Sequence, residues 1–355
     1  MQRSVVAVVA VVAGCGRVGF EPVGAVALGD YGHRKEIALR PPLTSALSSF
    51  VVSIAEASDP DLAAAARADG RDLVFTSADD QVLPFEIAGY DPTTGALDAW
   101  VQVPSLDGAT TVVLYYGGPP AAIEPSSTWR AGVAGVWHMT DGAFLRDSTG
   151  HNDLPVPMPS LQPVVTDGIA GRGLRYDGVD DSSSVQPMSA DLEFGTASFS
   201  YSCWVFVTQS SGQYDMPIYH GGSSASMPGY DMELGTTNWS GHISDGSRTV
   251  SPQFGAEPQL LNRWVHLVAV VDRTRGSMNL YTDGQPADAK SITAIGSVDA
   301  TEPFDIGQPN FVFHGVLDEV RIYRSALGPD WIATEYANLA DRATFVSIGP
   351  DEPAP

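Results

Sequence analysis

Several groups of residues in this sequence have the types and spacing that chemistry requires. Asp231-Met-Glu233 puts two carboxylates on one face of a strand, because side chains two apart share a face. Asp318-Glu319 puts two on opposite faces, so that pair is not expected to share a substrate. Glycosidic hydrolysis needs one acid to protonate the leaving group and a second to attack or to activate water. The Asp231/Glu233 spacing allows this, but an exposed acid pair at a sheet edge explains it more simply. Gly221-Gly-Ser-Ser-Ala225 lacks the closing glycine of a serine nucleophile elbow, and no H-E-x-x-H occurs among the 7 histidines. Trp264-Val-His266 reads as a packed strand and not as a ligand set. In the row Val316, Asp318, Val320, Ile322, Asp318 is a lone acid among apolar side chains. It needs an arginine, backbone N–H donors or a cation. Asp177, Asp180 and Asp181 crowd a glycine-containing turn, where hard cations take oxygen ligands. The expectation is one structural calcium ion held by Asp177, Asp180 and Asp318, with backbone bonding of Asp318 and a solvated cluster as the alternative. Trp239, Tyr230, His220 and Tyr214 lie in or near segments rich in Gly, Ser, Thr and Asn. Aromatic side chains on the loops of a rigid scaffold hold sugar faces. Trp239, Tyr230 and His220 are therefore the expected ligand contacts, and plugs over the core are the alternative.

These residues need a scaffold. The 355 residues suit two domains at roughly 150 residues each. The 36 Gly and 26 Pro supply turn formers on a scale that helical folds do not use. Acidic residues outnumber basic ones 42 to 19, a net charge of −23. Such a surface repels nucleic-acid backbones and anionic lipid, and it favours neutral or basic ligands.

The N-terminus speaks to location. Met1–Arg3 is basic, Val5–Val12 is apolar, small residues precede Cys15, and no acid occurs before Glu21. This is the pattern of a secretory signal, too short to span a bilayer of about 30 Å. Val12-Ala-Gly-Cys15 resembles the bacterial lipobox, which implies lipidation of Cys15 and an exported protein anchored at the cell envelope, in the outer membrane, with no other membrane contact. Gly14, Gly16 and Gly19 also fit a dinucleotide fingerprint, but Phe20-Glu-Pro22-Val-Gly24 cannot form the helix that motif needs. Cys203 shares a strand face with Phe199, Tyr201, Val205 and Val207 and reads as a buried thiol.

Between about residues 31 and 118, short β-rich runs alternate with turns, and Asp59-Pro60 opens one helix. Ala68-Asp-Gly70-Arg-Asp72-Leu-Val-Phe75, Leu83-Pro-Phe-Glu86, Ala99-Trp100-Val-Gln-Val-Pro104 and Leu114-Tyr-Tyr116-Gly117 resemble the family known as domain of unknown function 2341. That resemblance implies a surface β-sandwich without known chemistry. Residues 1–15 are read as the signal, 16–30 and 119–131 as linkers, and 349–355 as a polar tail without a core role. Across 132–348, Val136-Trp-His138-Met139, Gly171-Arg-Gly-Leu-Arg-Tyr-Asp177, Ser202-Cys-Trp204, Trp264-Val-His266, Leu280-Tyr-Thr-Asp-Gly284 and Asp318-Glu-Val-Arg-Ile-Tyr323 resemble laminin-G-like, concanavalin-A-like jelly rolls. The expected fold class is therefore all-β: two β-sandwiches, the second a jelly roll, with a short helix near the C-terminus. Glycoside hydrolases of that fold carry E-x-D-x-x-E on one strand, and this string is absent here. The expected function is non-catalytic binding of a neutral glycan at the cell envelope. An adhesive or structural module that contacts a cell-surface protein is the alternative, and a hydrolase is the least supported.

Overall fold

A computed structural model describes residues 26–121, 125–129, 132–142, 144–156, 158–185, 188–208, 214–222, 224–308 and 310–355. Cys15 and the apolar run before it lie outside the described residues. The protein is all-β, built as two sandwiches.

The first sandwich faces two sheets. Val346–Ile348, His33–Leu39, Thr111–Tyr116 and Val74–Ser77 lie side by side in one, and Leu47–Glu56, Ala96–Leu106 and Phe85–Asp91 in the other. Alternation along the second sheet decides what is buried where. Val52, Ile54, Ala99 and Val101 enter the core between the sheets, while Val51 and Trp100 point away, toward the second sandwich. The helix Pro60–Ala65 starts as expected, with Asp59 accepting from the backbone N–H groups of Asp61 and Leu62.

The second sandwich stacks an eight-stranded sheet on a seven-stranded one. Phe199–Phe206 is central in the larger sheet, between His314–Tyr323 and Trp264–Asp272. Its Phe199, Tyr201, Cys203 and Val205 enter the core, and Trp204 points out. The larger sheet is covered on both faces. Helix Pro329–Ala340 lies on its outer side, with Ile332 against Val268, Val270 and Tyr281, and Tyr336 stacked 5.6 Å from Trp204. This explains why Trp264–Val271 is apolar on both faces. His266 is stacked on Trp204 at 4.9 Å, and burial lowers its pKa to about 3. Cys203 is a buried free thiol, as expected, and burial pushes its pKa up.

The C-terminal residues depart from expectation. Val346–Ile348 and Glu352–Pro353 both pair with His33–Leu39, so they complete the first sandwich and not the second. The presumed polar tail is held by side chains as well. Asp351 accepts from Tyr116 Oη and from His33 Nδ1, and Arg34 donates to Glu352 at 2.9 Å. The expected linker 119–131 likewise buries Trp129.

Between the sandwiches lies a buried polar and aromatic joint. Arg321 donates to Glu319 at 2.7 Å and to Glu335 of the helix at 3.1 Å. Its guanidinium sits 4.5 Å from the Trp100 ring centroid and 5.2 Å from that of Trp129. His138 Nδ1 donates to Glu319 at 2.7 Å, and Nε2 lies 3.6 Å from Glu86 of the first sandwich. Glu86 also accepts from Trp129 Nε1 and Ser148 Oγ, both at 2.8 Å. Asn338 caps the joint, accepting from Ser53 N at 2.7 Å and donating to Ser53 O.

Candidate ligand-binding face of the second sandwich

The seven-stranded sheet brings Asp215–His220, Gly229–Leu234 and Asn238–Ser244 together in that order. Tyr230, Met232, Leu234, Trp239 and Ile243 point into the core. Period two therefore turns Asp231, Glu233, Ser240 and His242 to the opposite face. Register pairs Asp231 with His242 and Glu233 with Ser240 across adjacent strands. His242 Nδ1 donates to Asp231 Oδ1 at 2.6 Å. Burial raises the pKa of Asp231, and it also raises that of Glu233. Burial works against a charge on His242, but Asp231 and then Glu233 outweigh it, so the His242 pKa rises. At one end of this polar row is Gly235. A Cβ built there would lie 3.9 Å from both Glu233 Oε1 and Tyr214 Cδ1. Tyr214 is 54% exposed. An exposed ring and a carboxylate thus flank one glycine, backed by an imidazole that a buried acid orients. Such a face offers a platform for stacking and several hydrogen-bonding groups, the equipment for holding a polyol.

Residues 177–333 match the concanavalin A-like lectin/glucanases superfamily, and residues 69–128 match domain of unknown function 2341. The first of these matches falls on the second sandwich, which is a concanavalin A-like domain. No curated protein matches the sequence. Among solved structures, the binding domain of paraclostridial mosquitocidal protein 1 is 19% identical, with a TM-score of 0.48, over 58% of this chain and 52% of that one. The botulinum neurotoxin serotype G binding domain is 13% identical, with a TM-score of 0.47, over 57% and 50%. The chain spans about half the length of these structures.

The concanavalin A-like domain moves three expected ligand contacts into its core. Trp239, Tyr230 and His220 are 1%, 0% and 1% exposed. Tyr230 packs among Phe194, Phe199 and Tyr201, and its hydroxyl donates to Leu192 O. His220 Nε2 pairs with Glu193 at 3.1 Å. The polar residues around Trp239 mark the outward positions of a strand and not a loop. Asp231 and Glu233 also differ from expectation, since their strand is interior to the sheet and Asp231 is fully buried. His242 was missed. Its signal was the polar row Asn238, Ser240, His242, Ser244 facing Asp231-x-Glu233.

Of the expected calcium ligands, Asp177 and Asp180 come together and Asp318 does not join them. Asp177, Asp180 and Asp181 place carboxylate oxygens within 4.8 Å of one another, an all-oxygen set suited to a hard cation. Asp318 belongs elsewhere. Its two oxygens accept from Ala170 N at 2.9 Å and Glu319 N at 2.8 Å, the backbone-bonded alternative. Burial, then the nearby Glu319 charge, raises its pKa well above the ordinary carboxylate value. The two acids were expected on opposite faces, but a register shift opposite Ser202 and Trp204, with φ of +48° at Glu319, breaks the alternation.

Proposed function

We propose that the protein is a non-catalytic binding module of the cell envelope that holds a neutral glycan on the Tyr214–Glu233–His242 face. The observation that carries this reading is the exposed Tyr214 ring beside the Glu233 carboxylate at Gly235. The superfamily match, which joins lectins with glucanases, supports it. The net charge of −23 disfavours polyanionic glycans. Turnover is not part of the proposal. The E-x-D-x-x-E string is absent, and Asp231, the partner acid nearest Glu233, is occupied by His242.

The test is calorimetry against neutral oligosaccharides. Stacking on one aromatic contributes about 1–3 kcal/mol, by comparison with nucleobases. Tyr214→Ala should therefore weaken binding about five- to a hundredfold with an unchanged circular dichroism spectrum. Absence of glycan binding at millimolar concentration passes the lead to a protein partner, and accumulating reducing ends would show an enzyme.

We place the module outside the cytoplasm, held through Cys15. The lipobox-like run supports this, and no helix among the described residues is long and apolar enough to cross a membrane. Cys15→Ser should abolish incorporation of labelled fatty acid and partition into detergent. A variant that remains in the detergent phase contradicts the anchor.

A further inference from the structure

A cleft of about 890 Å³ opens where the first sandwich meets the concanavalin A-like domain. Part of its wall is small and aliphatic, with Ala88, Leu97, Val346 and Ile348, and part is charged, with Glu56, Asp91 and Arg172. The volume falls in the range of small-ligand sites. Two charged side chains in the lining carry buried atoms without hydrogen-bond partners among the described residues, Asp98 Oδ1 and Arg342 Nε. Folded proteins seldom leave such atoms unsatisfied without a use for them. One short segment of the concanavalin A-like domain reaches both. Arg342 Nη2 donates to Ile169 O at 3.2 Å, and a Cβ on Gly171, whose φ is +69°, would stand 2.6 Å from Asp98 Oδ2. The acid and the guanidinium thus approach the same segment, and each has one buried atom without a bonding partner.

We propose that this cleft binds a zwitterionic α-amino acid with an apolar side chain, its ammonium on Asp98 and its carboxylate on Arg342. An acid and a guanidinium lining one cleft match the head of an α-amino acid, whose ammonium and carboxylate are attached to one carbon. A simple anion is opposed by Asp98, Glu56 and Asp91, and a metal cation by Arg342 and Arg172. The aliphatic part of the wall suits a hydrocarbon side chain. Burial and then the Glu319 charge raise the Asp98 pKa, Arg342 and His138 lower it, and Glu86 raises it. An arriving ammonium favours the ionised acid.

The experiment is calorimetry on the full chain with L-leucine, N-acetyl-leucine, leucinamide and a neutral oligosaccharide. Leucine should bind, and each blocked form should bind at least tenfold more weakly. Asp98→Asn, if folded by circular dichroism, should lose at least tenfold; the blocked ligands decide the matter if it does not fold. Tyr214→Ala should bind leucine normally, which separates this site from the glycan face. No heat with leucine at millimolar concentration overturns the proposal, as does equal binding of the blocked forms.

Discussion

Arg321→Met should destabilise the protein by about 3–5 kcal/mol, the cost of removing one partner from a buried ion pair. Arg321 is 3% exposed, and it is held by Glu319, Glu335 and the two indoles of Trp100 and Trp129. Removal leaves Glu335 without its cation and Glu319 with His138 alone. Lysine should not rescue it, because one ammonium cannot replace a planar fork that donates to two acids while lying against two indole rings. For a unit of this size the melting midpoint should fall by roughly 6–20 °C. A loss below about 1 kcal/mol would mean that the joint contributes little. The same joint carries a pH signature. Burial opposes the His138 charge, but Glu319 and Glu86 outweigh it and raise the pKa from 6.5 to about 10. A raised folded-state pKa gives stability that is complete below pH 6.5 and lost as pH climbs through about 10. The urea midpoint should accordingly decline from neutral to alkaline pH.

The joint illustrates what could be read in advance. Local rules worked where local forces decide. Asp59-Pro60 starts a helix, Asp283-Gly284 turns a hairpin with φ of 52° and 75°, and alternation along Phe199–Val207 names the inward residues. Those rules failed where the partner is remote or the ladder is irregular. Nothing local marks residues 346–353 as strands, because their register is set by His33–Leu39 at the far end of the chain. The bulge near Asp318 depends on how two strands meet, and an alternation argument assumes it away. The cleft unites Glu56, Asp98, Arg172 and Arg342, which no window contains. Of the ligand face, Asp231 and Glu233 were visible as a shared row, but their place inside the sheet was not.

Trp239→Ala should be a stability mutation and not a binding mutation. The side chain is 1% exposed and sits in the core with Tyr230, Met232 and Leu234. Truncating a buried tryptophan removes its transfer free energy and leaves a cavity, together about 3–5 kcal/mol. The melting midpoint should fall by roughly 6–20 °C. Position 239 points into the sandwich, while Asn238 and Ser240 alternate to the other face. The folded fraction should therefore keep its glycan affinity within a few-fold, measured well below the transition. Tyr214→Ala should do the reverse and lose affinity at an unchanged midpoint, because its ring is 54% exposed. The pair of variants separates core from surface on one sheet. If Trp239→Ala retains the wild-type midpoint and loses only binding, the strand is turned the wrong way and the assigned face is the wrong one.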